Sequence, residues 1–207
     1  MWARVKASQV IEIINGAKAM TIDGTQYPAS IFRIWSAADL KAKGLYSYSE
    51  TGHKDTFYYN MGAISYTVDD DAGTVVGAYA STAKGMDDVK WTSKEISDGD
   101  APTGATTDTV KTKGLKTLWK EKIKASAAAL ISPYDWYSLR KAQAGTAIPS
   151  DINTYMNAVR TASAVNEANV ASTANVTQMI ERASDTFDGD GNWSANAVYN
   201  EWPTPLD

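Results

Sequence analysis

The stretch that decides the fold of the C-terminal half is SPYDWYSLRKAQAGTAIPSDI, residues 132–152. Pro133 suits the first turn of a helix, where its missing amide hydrogen is not needed, and Ser132 before it is a common N-cap. Gly145 predicts the end of that helix, because glycine readily adopts the left-handed conformation of a C-terminal cap. A second Pro-Ser pair, at 149–150, repeats the start signal. The stretch therefore predicts a short aromatic helix between two helix junctions, with its tyrosines and Trp136 filling space under the junctions.

Apolar side chains recur at helical spacing on both sides of this stretch. Spacings of three and four residues predict a long amphipathic helix over residues 110–131 and a fourth helix over residues 173–184. The helix that begins after Pro149 carries an apolar stripe formed by Ile152, Tyr155, Met156, Val159 and Ala162. Residues 110–187 are therefore predicted to form a helical hairpin or bundle domain.

The N-terminal residues have the alternating pattern of strands. Residues 2–6 and 10–14 flank a polar turn and predict a hairpin, and residues 56–82 predict further strands separated by glycine and aspartate turns. Ser36, Asp39 and Gly44 carry the start and stop signals of one short helix. Residues 1–96 are therefore predicted to form an antiparallel β-meander domain with one short helix.

Residues 97–109 contain no large apolar side chain and consist mainly of Gly, Pro, Ser, Thr and Asp. This composition predicts a linker between the two domains. Residues 188–207 are predicted to be an irregular C-terminal tail. The whole pattern predicts an α+β protein.

Composition removes several classes of chemistry. The 207 residues include no cysteine, so a disulfide framework, a thiolate metal site and a cysteine nucleophile are impossible. The first residues lack the apolar block of a signal peptide, and no stretch approaches the roughly 20 apolar residues of a membrane helix. We therefore expect neither a secretion signal nor membrane insertion.

Charge is unevenly spread along the chain. Residues 110–144 carry a net charge of +6, while the whole chain carries −4. A basic segment of this kind can bind phosphate groups. The alternative is the solvated face of one helix beside acidic neighbours, and we favour it because the lysines lack interleaved base-stacking aromatics. No nucleic-acid partner is expected.

Candidate catalytic groups are few. His53, the only histidine, lies in the polar segment SETGHKDT with no nucleophile elbow nearby, which indicates a solvated loop histidine. Consecutive carboxylates at Asp69–Asp71 could act in pairs on a sugar, but adjacent residues of a hairpin tip point in different directions. Because no Gly-rich phosphate loop occurs either, we expect no enzyme, no catalytic residue and no cofactor.

The segment most similar to a metal-binding motif is residues 188–199, which partly match a calcium loop. Asp188, Asp190 and Asn192 occupy its first, third and fifth positions. Trp193 then replaces the required glycine, and Tyr199 replaces the bidentate glutamate at the twelfth position. This favours a glycine-rich turn, with an irregular Ca²⁺ site left open, and no metal ligands are assigned.

The chain contains 7 Trp, 11 Tyr and 3 Phe, and these aromatic residues are the main candidates for contacts with a ligand or a protein partner. Alternate residues of a strand face one side of a sheet, so the aromatics of the strand-rich half form either a ligand platform or part of the core, and we favour the core. Tyr and Trp are also enriched at protein interfaces. The residues predicted to take part in interactions are Trp119, Trp136, Tyr137, Tyr155, Tyr58 and Tyr66.

Three segments carry a family resemblance: MWARVKASQVIEII (1–14), DGDAPTGATTDTVKTKGL (98–115) and SPYDWYSLRKAQAGTAIPSDINTYMNAVRTA (132–162). They resemble tail-fibre and tail-fibre-assembly-like proteins of tailed bacteriophages, most closely over residues 110–170. In that family a lysine-bearing helix leads to a short Trp-containing helix, a Gly-x-x-x-Pro junction and a helix with a Tyr and an Ala-Val-Arg run. The matching positions here are Trp136, Arg140, Gly145, Pro149, Tyr155 and Ala158–Arg160.

The resemblance implies a non-enzymatic structural protein of the phage tail that acts through protein contacts, is made in the host cytoplasm and is retained in the virion. Its implied partners are other tail or fibre proteins, including further copies of the same chain. Two alternatives stay open, namely a fibre-assembly chaperone absent from the finished particle and a carbohydrate-binding module that recognises host surface glycans. The segment after residue 188 departs from the family pattern.

Overall fold

The computed structural model describes residues 1–206 and confirms the α+β class. The chain forms two compact units, unit 1 from Met1 to Ala83 and unit 2 from Lys84 onward. This division differs from the predicted boundary at residue 96. The reason is a pairing between distant residues: strand Val89–Lys90 pairs with strand Val110–Thr112, so residues 84–96 and the predicted linker 97–109 belong to unit 2.

Unit 1 is a sheet with short helices and a small hairpin. Its elements within residues 1–83 are β1 (Trp2–Lys6), β2 (Gln9–Ile14), β3 (Met20–Ile22), β4 (Thr25–Tyr27), α1 (Ile31–Ile34), α2 (Ala37–Ala42), β5 (Leu45–Thr51), β6 (Tyr59–Asp69) and β7 (Thr74–Ala83). The β1–β2 hairpin and the Ser36–Asp39 capping box of α2 are confirmed. The prediction of one short helix was wrong, because α1 precedes α2.

The main sheet is mixed, with strand order β2-β1-β5-β7-β6. The predicted antiparallel meander was therefore wrong at one position, since β5 and β7 run parallel and β7 lies between β5 and β6. Gly77 of β7 helps to explain this placement. A Cβ at Gly77 would lie 2.5 Å from the Tyr48 hydroxyl oxygen, so a larger residue there would require the Tyr48 side chain to move.

Alternate residues of a strand face opposite sides of the sheet. In this sheet both sides of the central strands carry buried residues. Leu45 packs on one face in a cluster with residues of α1, α2 and the β3–β4 hairpin. Tyr46 and Tyr48 pack on the other face with Ala3 and Val75. Residues of β2 and β6, the two edge strands, also pack against this second cluster.

Unit 2 is mainly helical. Its elements within residues 84–206 are β8 (Val89–Lys90), α3 (Ser93–Ser97), β9 (Val110–Thr112), α4 (Leu115–Ile131), a 3-10 turn (Ser132–Tyr134), α5 (Asp135–Ala144), α6 (Ser150–Ala171), α7 (Val176–Ala183), β10 (Thr186–Phe187), β11 (Trp193–Ala195) and a 3-10 turn (Val198–Asn200). Within residues 1–206, no helix is both long enough and apolar enough to cross a membrane.

The polar segment predicted to be a linker is held by Glu95. Thr92 and Glu95 form a capping box at the start of α3, and the Glu95 carboxylate also accepts a hydrogen bond from Lys111 of β9. The Lys111 ammonium, followed by the Thr92 backbone and hydroxyl groups, lowers the pKa of Glu95 to about 2. One carboxylate therefore joins α3 to β9 across the loop between them.

The core of the helical unit lies between α4 and α6. Ile123 and Ala127 of α4 and Tyr155 and Val159 of α6 are buried, as the apolar stripes predicted. The junction differs in detail, because Ser132 does not cap α5 but donates its hydroxyl to the Ala129 carbonyl. Gly145 ends α5 with a φ of 67°, as predicted.

The C-terminal segment is part of this core rather than an irregular tail. Tyr199 is only 2% exposed, and its hydroxyl hydrogen-bonds to Thr173 beyond the end of α6. Trp202 and Leu206 pack against the cluster that contains Tyr155 and Val159. Residues predicted to be irregular therefore cover the apolar surface of α6.

Gly44 allows a stability prediction for unit 1. Gly44 and Gly24 both have left-handed φ angles, but a Cβ at Gly44 would lie 2.4 Å from the Val5 carbonyl oxygen, whereas a Cβ at Gly24 meets nothing within 4 Å. Gly24→Ala is expected to lower the free energy of unfolding by about 1 kcal/mol, the cost of the conformation alone. Gly44→Ala should cost at least about 2 kcal/mol in urea unfolding, because the steric clash is added. Equal losses would contradict this reasoning.

Glu95 allows a pH prediction. Its folded pKa of about 2 lies below the ordinary value of 4.5, so the interaction stabilises the protein above pH 4.5 and is lost as the pH falls to about 2. NMR titration of the Glu95 carboxyl should give a depressed pKa in the wild-type chain and a higher pKa in Lys111→Met. An unchanged titration in Lys111→Met would exclude Lys111 as the main cause.

Candidate protein-interaction surface

The α5 patch, defined as Trp136, Tyr137, Leu139 and Arg140, is an exposed aromatic surface of unit 2 formed by one helix. Trp136 is 50% exposed and Leu139 is 58% exposed. The two aromatic rings lie with centroids 3.8 Å apart, and the Arg140 guanidinium carbon lies 4.8 Å from the Trp136 centroid and 5.3 Å from that of Tyr137. The patch therefore combines aromatic area with a positive charge.

Arg140 is positioned by these rings. Its Nε atom is covered by protein and has no hydrogen-bond partner among residues 1–206. Stacking of a guanidinium on aromatic faces is favourable even without a polar partner. The local sequence WYSLR thus builds a preformed surface in which three adjacent side chains support one another, which lowers the entropy lost when a partner binds.

None of the ten residues of α5 is buried. An isolated helix of this length is marginal in water, because nucleation is costly and few hydrogen bonds repay it. Tertiary packing normally supplies the missing stability through an apolar face. In α5 the large apolar side chains of Trp136 and Leu139 are instead exposed, so this helix has apolar area that the chain itself leaves uncovered.

The predicted interaction residues separate into exposed, half-buried and core positions. Trp136 and Tyr66 are exposed, with Tyr66 at 42%, and Trp119 and Tyr137 are half-buried. Tyr155 and Tyr58 are buried, so neither side chain is available to a partner in this fold. Each of these two packs edge-on against an aromatic neighbour, and their expected role as contact residues is replaced by a role in the core.

His53 lies on the surface, as predicted. Its Nε2 is 3.0 Å from a Glu50 carboxylate oxygen, and its ring lies 4.5 Å from that of Tyr79. Glu50 also accepts a hydrogen bond from the Tyr48 hydroxyl at 2.9 Å. The Tyr48 hydroxyl, followed by His53, lowers the pKa of Glu50. The two hydrogen bonds join residues of β5 and of the segment that follows it, and the ring contact connects His53 to Tyr79 of β7.

The aspartates at 69–71 belong to the turn between β6 and β7. Asp69 accepts a hydrogen bond from the Ala72 amide at 2.8 Å. Asp70 accepts hydrogen bonds from the Ser8 hydroxyl and from the Tyr46 hydroxyl, and these two bonds lower its pKa, with Ser8 the larger cause. The carboxylates therefore have structural partners, in agreement with the predicted turn.

The predicted glycine-rich turn at residues 188–192 is confirmed by the β10–β11 hairpin. Asp188 accepts hydrogen bonds from the Asp190 amide at 3.0 Å and from the Asn192 amide at 2.8 Å. These bonds lower the pKa of Asp188, with Asn192 the largest cause. Among residues 1–206, no three His, Cys, Asp or Glu side chains are grouped so that they could hold a metal ion.

Several lysines of the basic segment contact carboxylates within unit 2. Lys116 pairs with Asp87 at 3.2 Å, and Lys124 pairs with Glu167 at 3.5 Å. Lys113 and Glu121 form a further exposed pair. These contacts fit the interpretation of a solvated helix face beside acidic neighbours.

A pocket that sequence reasoning missed lies between α4, the residues that follow α7 and the C-terminal 3-10 turn. We name it the Trp119 pocket, and it has a volume of about 260 Å³. The rings of Trp119 and Tyr199 form its aromatic part, with centroids 5.2 Å apart. No local pattern reveals such a pocket, because its two halves are 80 residues apart in the sequence.

Comparison with protein-family models, with curated proteins and with solved structures finds no match.

Alanine substitution of one aromatic residue in the α5 patch and one in the core tests which of the two positions is buried. Trp136→Ala is expected to change the free energy of unfolding by no more than about 0.5 kcal/mol, because the side chain is half exposed and α5 has no buried residue. Tyr155→Ala should cost about 3–5 kcal/mol, because it leaves a cavity between α4 and α6. Urea unfolding of both variants measures the difference. A large loss in Trp136→Ala would show that the α5 patch is covered within the chain.

Proposed function

We propose that this chain is a non-enzymatic structural protein of a bacteriophage tail, associated with fibres and working through protein contacts. The single observation that carries the proposal is the α5 patch, a preformed Trp-Tyr-Arg surface on a helix without buried residues. The same helix lies in the segment that resembles tail-fibre proteins. Resemblance and exposed surface thus point to the same residues.

Burial of the α5 patch by a partner supplies the tertiary packing that α5 lacks within its own chain. Trp, Tyr and Arg dominate the energetic centres of interfaces, where they sit in desolvated, well-packed positions. Arg140 and Lys141 give the surface a positive charge, so a partner with aromatic or acidic side chains is complementary to it. Candidate partners are other tail proteins and further copies of this chain.

Mass spectrometry of purified virions tests the proposal. In particles of the phage that encodes this chain, its peptides should occur in a fixed, stoichiometric ratio to the tail proteins. A fibre-assembly chaperone would be present in infected cells but missing from the particles, or far below stoichiometric amounts. That outcome would replace the proposal with the chaperone alternative.

The amount of an α5-patch variant in purified virions tests whether this patch is the contact surface. Trp136→Ala combined with Leu139→Ala is expected to reduce the amount of this protein in virions, because both changes remove apolar contact area. Trp193→Ala, which changes an exposed aromatic residue of unit 2 outside the α5 patch, is the matched control and should be incorporated normally. Normal incorporation of the double variant would exclude the α5 patch as the contact surface.

A further inference from the structure

The Trp119 pocket has the features of a small-molecule site and lies on side chains outside the α5 patch. One wall is aromatic, formed by Trp119 of α4 and the nearly buried Tyr199. Ligand pockets combine apolar or aromatic surface with a few polar groups that orient the ligand. The polar side chains at this pocket are Lys122, Ser126, Asp185 and Asn200.

Two of these polar side chains are held in place by the C-terminal segment while part of their bonding capacity stays unused. Asp185 Oδ1 accepts a hydrogen bond from the Ala197 amide at 2.7 Å. Asn200 Oδ1 accepts one from Trp202 Nε1 at 3.0 Å. Asp185 Oδ2 and Asn200 Nδ2 make no hydrogen bond to any residue of the described chain 1–206. Asp185 and Asn200 therefore each contribute a polar atom at the pocket that no residue of the described chain occupies, one an acceptor and one a donor.

The charges at the pocket oppose each other. The Lys122 ammonium lies 4.8 Å from the Trp119 ring centroid, and Asp185 contributes a carboxylate. One positive and one negative group cancel, so neither a phosphate nor a divalent cation is favoured over a neutral ligand. Ser126 adds a hydroxyl that both donates and accepts.

A sugar ring is complementary to these groups. Its hydroxyls donate to a carboxylate and accept from an amide and an ammonium, while its C–H face packs on an aromatic ring. The volume of about 260 Å³ lies below the range of roughly 300–1,000 Å³ that drug-sized ligands occupy, which favours one ring over an extended chain. We propose that the Trp119 pocket binds a single neutral sugar residue at the end of a glycan.

The proposal goes beyond the protein contacts of the α5 patch, and it assigns sugar binding to different residues from the sheet aromatics that the sequence suggested. Tyr58 of the sheet is buried, and Tyr66 is an exposed residue of β6. Failure of the pocket to bind sugar would leave the presence of the chain in virions unaffected. The two proposals are therefore tested separately.

A glycan array probed with the full chain, followed by NMR titration with the terminal monosaccharide of the best glycan, tests the pocket. Ser126→Phe places a ring at the pocket from an exposed position of α4 and should weaken binding at least about tenfold. Lys122→Ala, also at an exposed position, should weaken it several-fold by removing one charged hydrogen bond. Lys120→Ala on the same helix lies outside the pocket lining and is the matched control, with unchanged binding. Circular dichroism verifies that every variant is folded.

Several results would overturn the proposal. One is the absence of binding to any glycan or monosaccharide at millimolar concentration. Another is binding that persists in Ser126→Phe but disappears in Tyr66→Ala, which would place the site on the sheet of unit 1. A third is binding of free amino acids in place of sugars, which would assign the opposite charges of Lys122 and Asp185 to a zwitterion.

Discussion

Docking of the C-terminal segment on α4 and α6 is the constraint on which unit 2 depends. Tyr199 is almost completely buried, and its hydroxyl meets that of Thr173, which is itself 1% exposed. Asn166, a polar residue on the inner face of α6, is also 1% exposed and donates to the Glu201 carbonyl at 3.2 Å. A buried amide without a partner would be costly. The last residues of the chain therefore satisfy groups that the helices bury.

This docking determines which surfaces remain for binding. Arg182 at the end of α7 holds the end of α6 by donating to the Asn169 carbonyl at 2.8 Å and to the Ser172 hydroxyl at 2.9 Å, next to Thr173, the partner of Tyr199. The segment covers α6 and forms one side of the Trp119 pocket, while α5 lies outside the packed pair of α4 and α6. The docked segment thus covers the core and completes the Trp119 pocket, and it leaves α5 exposed.

Local signals were predicted well from the sequence and pairings between distant residues were not. The capping box at Ser36 and the helix end at Gly145 depend on neighbours within a few residues, so their patterns are sufficient. The parallel pairing of β5 with β7 and the β8–β9 pair around the polar loop depend on partners far along the chain. For the candidate site, Trp136, Tyr155 and Tyr58 were all named as interaction residues. Trp136 is exposed, although it was also predicted to fill space under the helix junctions, whereas Tyr155 and Tyr58 face the core. The pocket was missed because Trp119 and Tyr199 meet only through the docked segment.

Amide hydrogen exchange of the intact protein tests the central claim most directly. The Ala197 amide donates to Asp185, and the Asn200 amide donates to the Ala197 carbonyl at 2.8 Å. If the segment is part of the core, these amides open together with the middle of α6 and show the same free energy of exchange. If the Ala197 and Asn200 amides exchange at the rate of an open loop while α6 stays protected, the C-terminal segment is not part of the core, which contradicts the account.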